Sequence, residues 1–141
     1  MAAGSVRVVV ADDHEVVRCG LVNLLDGTDV EIVAEASSGE AAVSLAMKHK
    51  PDVILLDIRM APGKDGLKAL ENIRNDAPSV RCIMLTTFDN PTYIARAVAS
   101  GAHDYILKGC SREELLESIT GAASGKLPLR AGELRRVATT M

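Results

Sequence analysis

The stretch KPDVILLDIRMAPGKDG, residues 50–66, decides how this chain folds. Four apolar residues, Val53 to Leu56, run without alternation into an acid, Asp57. An unbroken apolar run this short fits a strand covered on both faces, as in parallel sheets. Pro62 and Gly63 then mark a loop before a helical pattern begins. A buried strand that ends on a carboxylate raises the question of what holds the charge.

The same pattern recurs along the chain. Runs at 6–11 (VRVVVA), 30–36 (VEIVAEA), 52–56 (DVILL), 80–85 (VRCIML) and 104–107 (DYIL) read as strands, mostly buried on both faces. Amphipathic stretches lie between and after them. Val17, Leu21 and Leu24 mark a stripe in 14–25; Ala42, Leu45 and Ala46 one in 39–49; Leu67, Leu70 and Ile73 one in 65–76. Ile94 and Val98 do the same in 91–100, and Leu115, Ile119 and Ala122 in 111–123. Ser38 and Ser111 stand at helix starts, Ser111 with Glu114 in capping-box spacing. Gly101 stands where a helix would stop. The order is (βα)5, an α/β class, and short connections imply right-handed crossovers onto one doubly wound parallel sheet. The flavodoxin-like strand order 2-1-3-4-5 follows as the expectation, with a crevice outside the carboxyl ends of strands 1 and 3.

That rim gathers the polar residues. The first strand leads into Asp12 and Asp13, the third into Asp57, the fourth into Thr86 and Thr87, and the fifth into Lys108. Three adjacent carboxylates repel, and burial would raise their pKa values. A hard divalent cation such as Mg²⁺ relieves the repulsion with oxygen ligands and retained waters. Asp57 could then stay ionised and attack phosphorus, with Thr86 and Lys108 compensating the phosphoryl oxygens. Each residue alone has a plainer reading: Asp57 a loop acid or cap, Asp12 and Asp13 caps for the helix near His14, Thr86 a strand end, Lys108 a solvated cation. Their convergence on one rim favours the site.

Composition limits the alternatives. The 141 residues amount to about one domain. A net charge of −3 and 2% aromatics give no basic patch or stacking platform for nucleic acid and no attraction to an anionic membrane. No apolar run approaches the ~20 residues of a membrane span, and the start MAAGSVR has no signal-peptide core. Cys19, Cys82 and Cys110 are an odd, scattered set, read as reduced core fillers in a cytoplasmic protein. His14, His49 and His103 lack ligand spacing and read as surface or cap residues.

VVVADDHEVVRCGL, PDVILLDIRM, the Asp65-Gly66 pair, IMLTT and GAHDYILKG together resemble the receiver domains of bacterial two-component response regulators. The resemblance covers roughly residues 5–124, and ADDHEVVRCGL with GAHDYILKG is most similar to the subfamily joined to a LuxR-type helix-turn-helix. It implies that Asp57 accepts a phosphoryl group from a histidine kinase. It implies Mg²⁺ held by Asp13, Asp57 and the backbone carbonyl of Arg59, with Asp12 acting mainly through a water. Thr86 and Lys108 would bind the phosphoryl oxygens, and Tyr105 would be the aromatic that changes rotamer. A phosphorylation-induced homodimer is implied as well, with 14–25 and 111–123 as contact surfaces. DNA would be reached only through an output domain absent from this chain. Residues 125–141 resemble the linker or the start of such a domain. A receiver fragment is the preferred expectation over a stand-alone receiver.

Two departures stand out. The family's proline four residues after the acceptor is here Ala61, with Pro62 one place later, so the loop reads one residue longer. Gly109 replaces the proline that follows the lysine in many receivers, so no cis-proline is expected there. Two other functions fit the fold less well. A haloacid-dehalogenase-type phosphatase, also Mg²⁺-dependent, needs a second acid two residues after the nucleophile, where Arg59 stands. A flavin or dinucleotide binder needs a glycine-rich phosphate loop after the first strand, where ADDHEV stands. The expectation is therefore a non-enzyme that catalyses only its own phosphorylation and dephosphorylation.

Overall fold

The computed structural model describes residues 5–60, 65–87 and 91–125. Its elements are β1 (Val6–Ala11), α1 (Glu15–Leu25), β2 (Val30–Ala36), α2 (Gly39–His49), β3 (Val53–Asp57), α3 (Asp65–Asp76), β4 (Arg81–Thr86), α4 (Pro91–Ala99), β5 (Asp104–Leu107) and α5 (Arg112–Ala123). All five strands are parallel, in the order β2-β1-β3-β4-β5. The sequence-based expectation for fold and order is met. The lengthened loop at Ala61 and Pro62, and the tail from 126 onward, lie outside the described residues.

The apolar runs follow from two separate cores. Successive strand residues point to opposite faces. Val9, Ile54, Leu56, Cys82 and Met84 therefore face one cluster with Ala42, Ala46, Leu70, Ile73, Ile94 and Val98, the stripes of α2, α3 and α4. Val8, Val10, Leu55, Ile83, Leu85 and Ile106 face the other, with Leu21, Leu25, Leu115, Ile119 and Ala122 of α1 and α5. Every residue of β3 is buried, because it has strands on both sides and helices on both faces. Truncating one such residue, Leu55 or Leu56, to alanine costs about 2–5 kcal/mol. The edge strand β2 departs from the expected burial: Glu31 and Glu35 are exposed, and Ile32 to Ala34 are only half-buried.

Local signals behave as read. The Ser38 side chain accepts from the Ala41 amide at 3.1 Å, and Ser111 and Glu114 close a reciprocal capping box. The cysteines require a correction. Only Cys82 is buried; Cys19 is exposed and Cys110 half-buried. Cys19 lies on the outer face of α1, away from its buried stripe at Leu21 and Leu25. Burial pushes the Cys82 thiol up to about 12, with Arg74 opposing, so it stays protonated and inert. Among the described residues no helix is long and apolar enough to cross a membrane.

Candidate functional site

Register brings the site together. Ala11 pairs with Leu56, so the next residues, Asp12 and Asp57, leave adjacent strands at the same level. Thr86 pairs with Leu107, and the Lys108 amide donates to the Thr86 carbonyl at 2.7 Å. Asp12 and Asp57 are 0% and 2% exposed, and Thr86 is equally buried. The Lys108 ammonium lies 3.1 Å from Asp57 Oδ2 and 3.1 Å from Asp12 Oδ2. It donates a hydrogen bond to Asp57, whereas the Asp12 contact is a charge contact outside hydrogen-bond geometry. The Arg59 amide donates to Asp57 Oδ1 at 3.2 Å.

The electrostatics are those of an acid group short of positive charge. Burial, then the Asp12 carboxylate, push the Asp57 pKa up, while the Arg59 amide and Lys108 pull it down; the net direction is up. Burial pulls Lys108 down, but Asp57 and Asp12 outweigh it, so the ammonium is held charged more firmly than usual.

Two glycines shape the rim. A Cβ on Gly66 would overlap the backbone oxygens of Asp57 and Ile58, so only glycine lets α3 start against the end of β3. Gly109 has φ +89°, a left-handed value that proline, locked near −65°, cannot adopt. The departure from the family's proline after the lysine thus has a backbone cause.

The helix-cap reading of Asp12 and Asp13 needs revision. His14 is the N-cap of α1 and makes no side-chain cap bond; Asp12 Oδ1 instead accepts from the His14 amide at 2.8 Å. Asp12 is thereby oriented inward. The surface reading of His14 was incomplete too. Its side chain is 67% exposed, yet Nδ1 lies 3.0 Å from Asp13 Oδ1 and 3.3 Å from Asp12 Oδ1. Arg18, which sequence reasoning missed, donates from Nη1 to the Asp12 carbonyl at 2.5 Å and pairs with Glu35 at 3.4 Å. Its place four residues after His14, on the same helix face, was the available signal.

Thr86 Oγ1 donates to the Thr87 carbonyl at 3.2 Å, away from the acids. Tyr105 is half-buried against the cluster under α4. The Arg59 guanidinium sits 5.3 Å from the Tyr93 ring centroid, linking the segment after β3 to α4.

The donor set fits a hard cation. Ligand atoms of Asp12, Asp13, His14 and Asp57 lie within 4.8 Å of one another, and buried Asp12 Oδ2 has no hydrogen bond. Three carboxylates at that spacing match the oxygen preference of a divalent ion.

A five-stranded parallel α/β domain with clustered strand-end aspartates and a facing lysine defines a phosphoacceptor-type receiver. The response regulator receiver domain family matches residues 8–120, and the chain belongs to that family. It is 40% identical over 121 residues to the oxygen regulatory protein NreC of Staphylococcus aureus (strain JH9), covering 85% of this chain and 56% of that protein. The chain thus spans about half the length of such relatives. Among solved structures, the signal receiver domain of the response regulator NarL from Mycobacterium tuberculosis has a TM-score of 0.80 at 37% identity. That match covers 86% of this chain and 98% of that one. A DNA-binding response regulator of the LuxR family from Staphylococcus aureus has a TM-score of 0.76 at 35% identity, covering 84% and 98%.

Proposed function

We propose that residues 5–124 are a phosphoacceptor switch in the cytoplasm, charged by a sensor histidine kinase at Asp57 and read out as transcriptional control. The supporting observation is the Lys108 ammonium 3.1 Å from both Asp57 and Asp12 within the acid cluster. Asp12, Asp13, Asp57 and the Arg59 carbonyl would hold Mg²⁺. When bound, the ion supplies the positive charge that keeps the carboxylates ionised and offsets the phosphoryl oxygens.

The chain's own groups do the rest. A carboxylate oxygen of Asp57 attacks phosphorus; the P–O bond forms as the P–N bond to the donor imidazole breaks. Lys108 turns from the acids to a phosphoryl oxygen. The Thr86 hydroxyl leaves the Thr87 carbonyl and donates to another. Tyr105 then turns into the space behind Thr86, and the packing of α4 changes. Water attack on phosphorus later restores Asp57, so no external substrate is turned over.

Residues 125–141 would be a linker or the start of an output domain, which alone would touch DNA. Phosphorylation would favour a homodimer through α1 and α5, and a C2 pair matches a palindromic site. Val16 on α1 is 84% exposed, and a cleft of about 300 Å³ lined by Val17, Leu21, Leu24, Leu107 and Cys110 adjoins α1 and the start of α5. Both features support that contact.

Acetyl phosphate with Mg²⁺, read by intact mass, tests the reading. One phosphoryl group should add to the wild type and none to Asp57→Asn. Undiminished labelling of Asp57→Asn would overturn the assignment.

A further inference from the structure

We propose that His14 is a fourth ligand of the acid cluster and tilts its cation preference from Mg²⁺ toward borderline transition-metal ions. The inference rests on the reading of the cluster as a cation site. An all-oxygen set suits Mg²⁺ and Mn²⁺; an imidazole added to it suits Co²⁺, Ni²⁺ or Zn²⁺.

Three observations carry it. His14 Nδ1 lies 3.0 Å from Asp13 Oδ1 and 3.3 Å from Asp12 Oδ1, so a ring nitrogen already sits among the acid oxygens. An ion bound among those oxygens would have that nitrogen within reach as a further donor. The four ligand atoms of Asp12, Asp13, His14 and Asp57 lie within 4.8 Å of one another, a spread one ion can span. Finally, Asp12 is fully buried, and its Oδ2 makes no hydrogen bond, its neighbour being the Lys108 ammonium at 3.1 Å. A buried carboxylate oxygen without a hydrogen bond favours a bound cation. The imidazole is held by its backbone: Asp12 Oδ1 fixes the His14 amide at 2.8 Å, and α1 begins at the next residue. The exposed ring keeps freedom to meet an ion without repacking the core. Glutamine at this position removes the imidazole donor and leaves the backbone bond from the His14 amide to Asp12 available.

The test is a titration of the full chain with Co²⁺ and, separately, Mg²⁺, by calorimetry and by the visible cobalt absorption band. The wild type should bind Co²⁺ more tightly than Mg²⁺, with a band that excess Mg²⁺ abolishes. His14→Gln should lower the Co²⁺-to-Mg²⁺ affinity ratio at least about tenfold, since even outer-shell partners of a metal contribute that much. It should also shift the cobalt band. An unchanged ratio and band in His14→Gln, with normal Mg²⁺ binding, would overturn the role of His14 alone. A cobalt band that survives in Asp13→Asn would put the ion elsewhere and overturn it too. If neither ion binds the wild type, the cation reading of the cluster falls as well.

Discussion

Asp57 and Asp104 are the same residue type at nearly the same depth, 2% and 3% exposed, at opposite ends of β3 and β5, the two strands that flank β4. Asp104 opens β5 and accepts from the Tyr105 amide at 2.9 Å and the Ser118 hydroxyl at 3.0 Å, both neutral donors. Asp57 closes β3 beside a like charge, Asp12, and a cation, Lys108. The Ser118 hydroxyl ties Asp104 to α5 as part of the fold. Burial and Asp12 leave the Asp57 carboxylate less comfortable as an anion, against the pull of Lys108. Burial of an aspartate therefore does not by itself mark a functional site; Asp57 is set apart by sharing its rim with Asp12 and Lys108.

The sharpest way to break this contrast is chemical. Asp104→Asn should label with acetyl phosphate like the wild type, while Asp57→Asn should not label at all; equal loss in both would erase the distinction. Next in size is stability. Asp104→Ala should cost about 3 kcal/mol in urea unfolding and Ser118→Ala about 1–2, because bonds to a buried charge are lost. A neutral result for Asp104→Ala would show that it does not hold α5 to β5.

The cation should act only at the Asp57 end. Mg²⁺ at a hundredfold excess over its dissociation constant should stabilise the wild type by about 2.7 kcal/mol. Thermal unfolding of Asp13→Ala under the same conditions should show almost none of that gain.

Thr86 probes how the Asp57 end speaks to the rest of the domain. A bond from its hydroxyl to a phosphoryl oxygen, as proposed, would contribute about 1.5–3 kcal/mol. That shifts a two-state population at least about tenfold. Thr86→Ala should accept phosphate yet dimerise poorly, as read by light scattering on labelled protein. Normal dimerisation at full labelling would route the signal elsewhere, with the Arg59–Tyr93 contact as the next candidate.

The smallest effect is the pH dependence. The Asp57 pKa is raised above 3.8, so the fold favours its protonated form. Its contribution is most favourable below 3.8 and is lost as pH rises through the higher folded value. In metal-free protein, Asp57→Asn should therefore gain on the wild type across that window and be the more stable of the two at neutral pH. Parallel pH-dependent stability curves for the two proteins would contradict the strain at Asp57.

Much of this was written in the chain. Apolar runs of four to seven residues alternating with helical stripes specify a (βα)5 order, because each strand must be covered on both faces and each stripe must find a sheet. The same periods bring Asp12, Asp57, Thr86 and Lys108 to one rim, since strand ends are one-dimensional information. Side-chain partnership across space is not. Sequence could not show that His14, read as a surface residue, turns back on Asp12 and Asp13, nor that Arg18 braces the Asp12 carbonyl. It could not separate Cys82 from Cys19, whose depths depend on which face each element turns inward. It gave Asp104 no special weight, because the Ser118 hydroxyl that anchors it comes from a helix 14 residues on. Those contacts depend on the packing angle of helices on the sheet and on the register of β1, β3, β4 and β5. Distances of 3 Å between carboxylate, imidazole and ammonium exist only once that packing is complete.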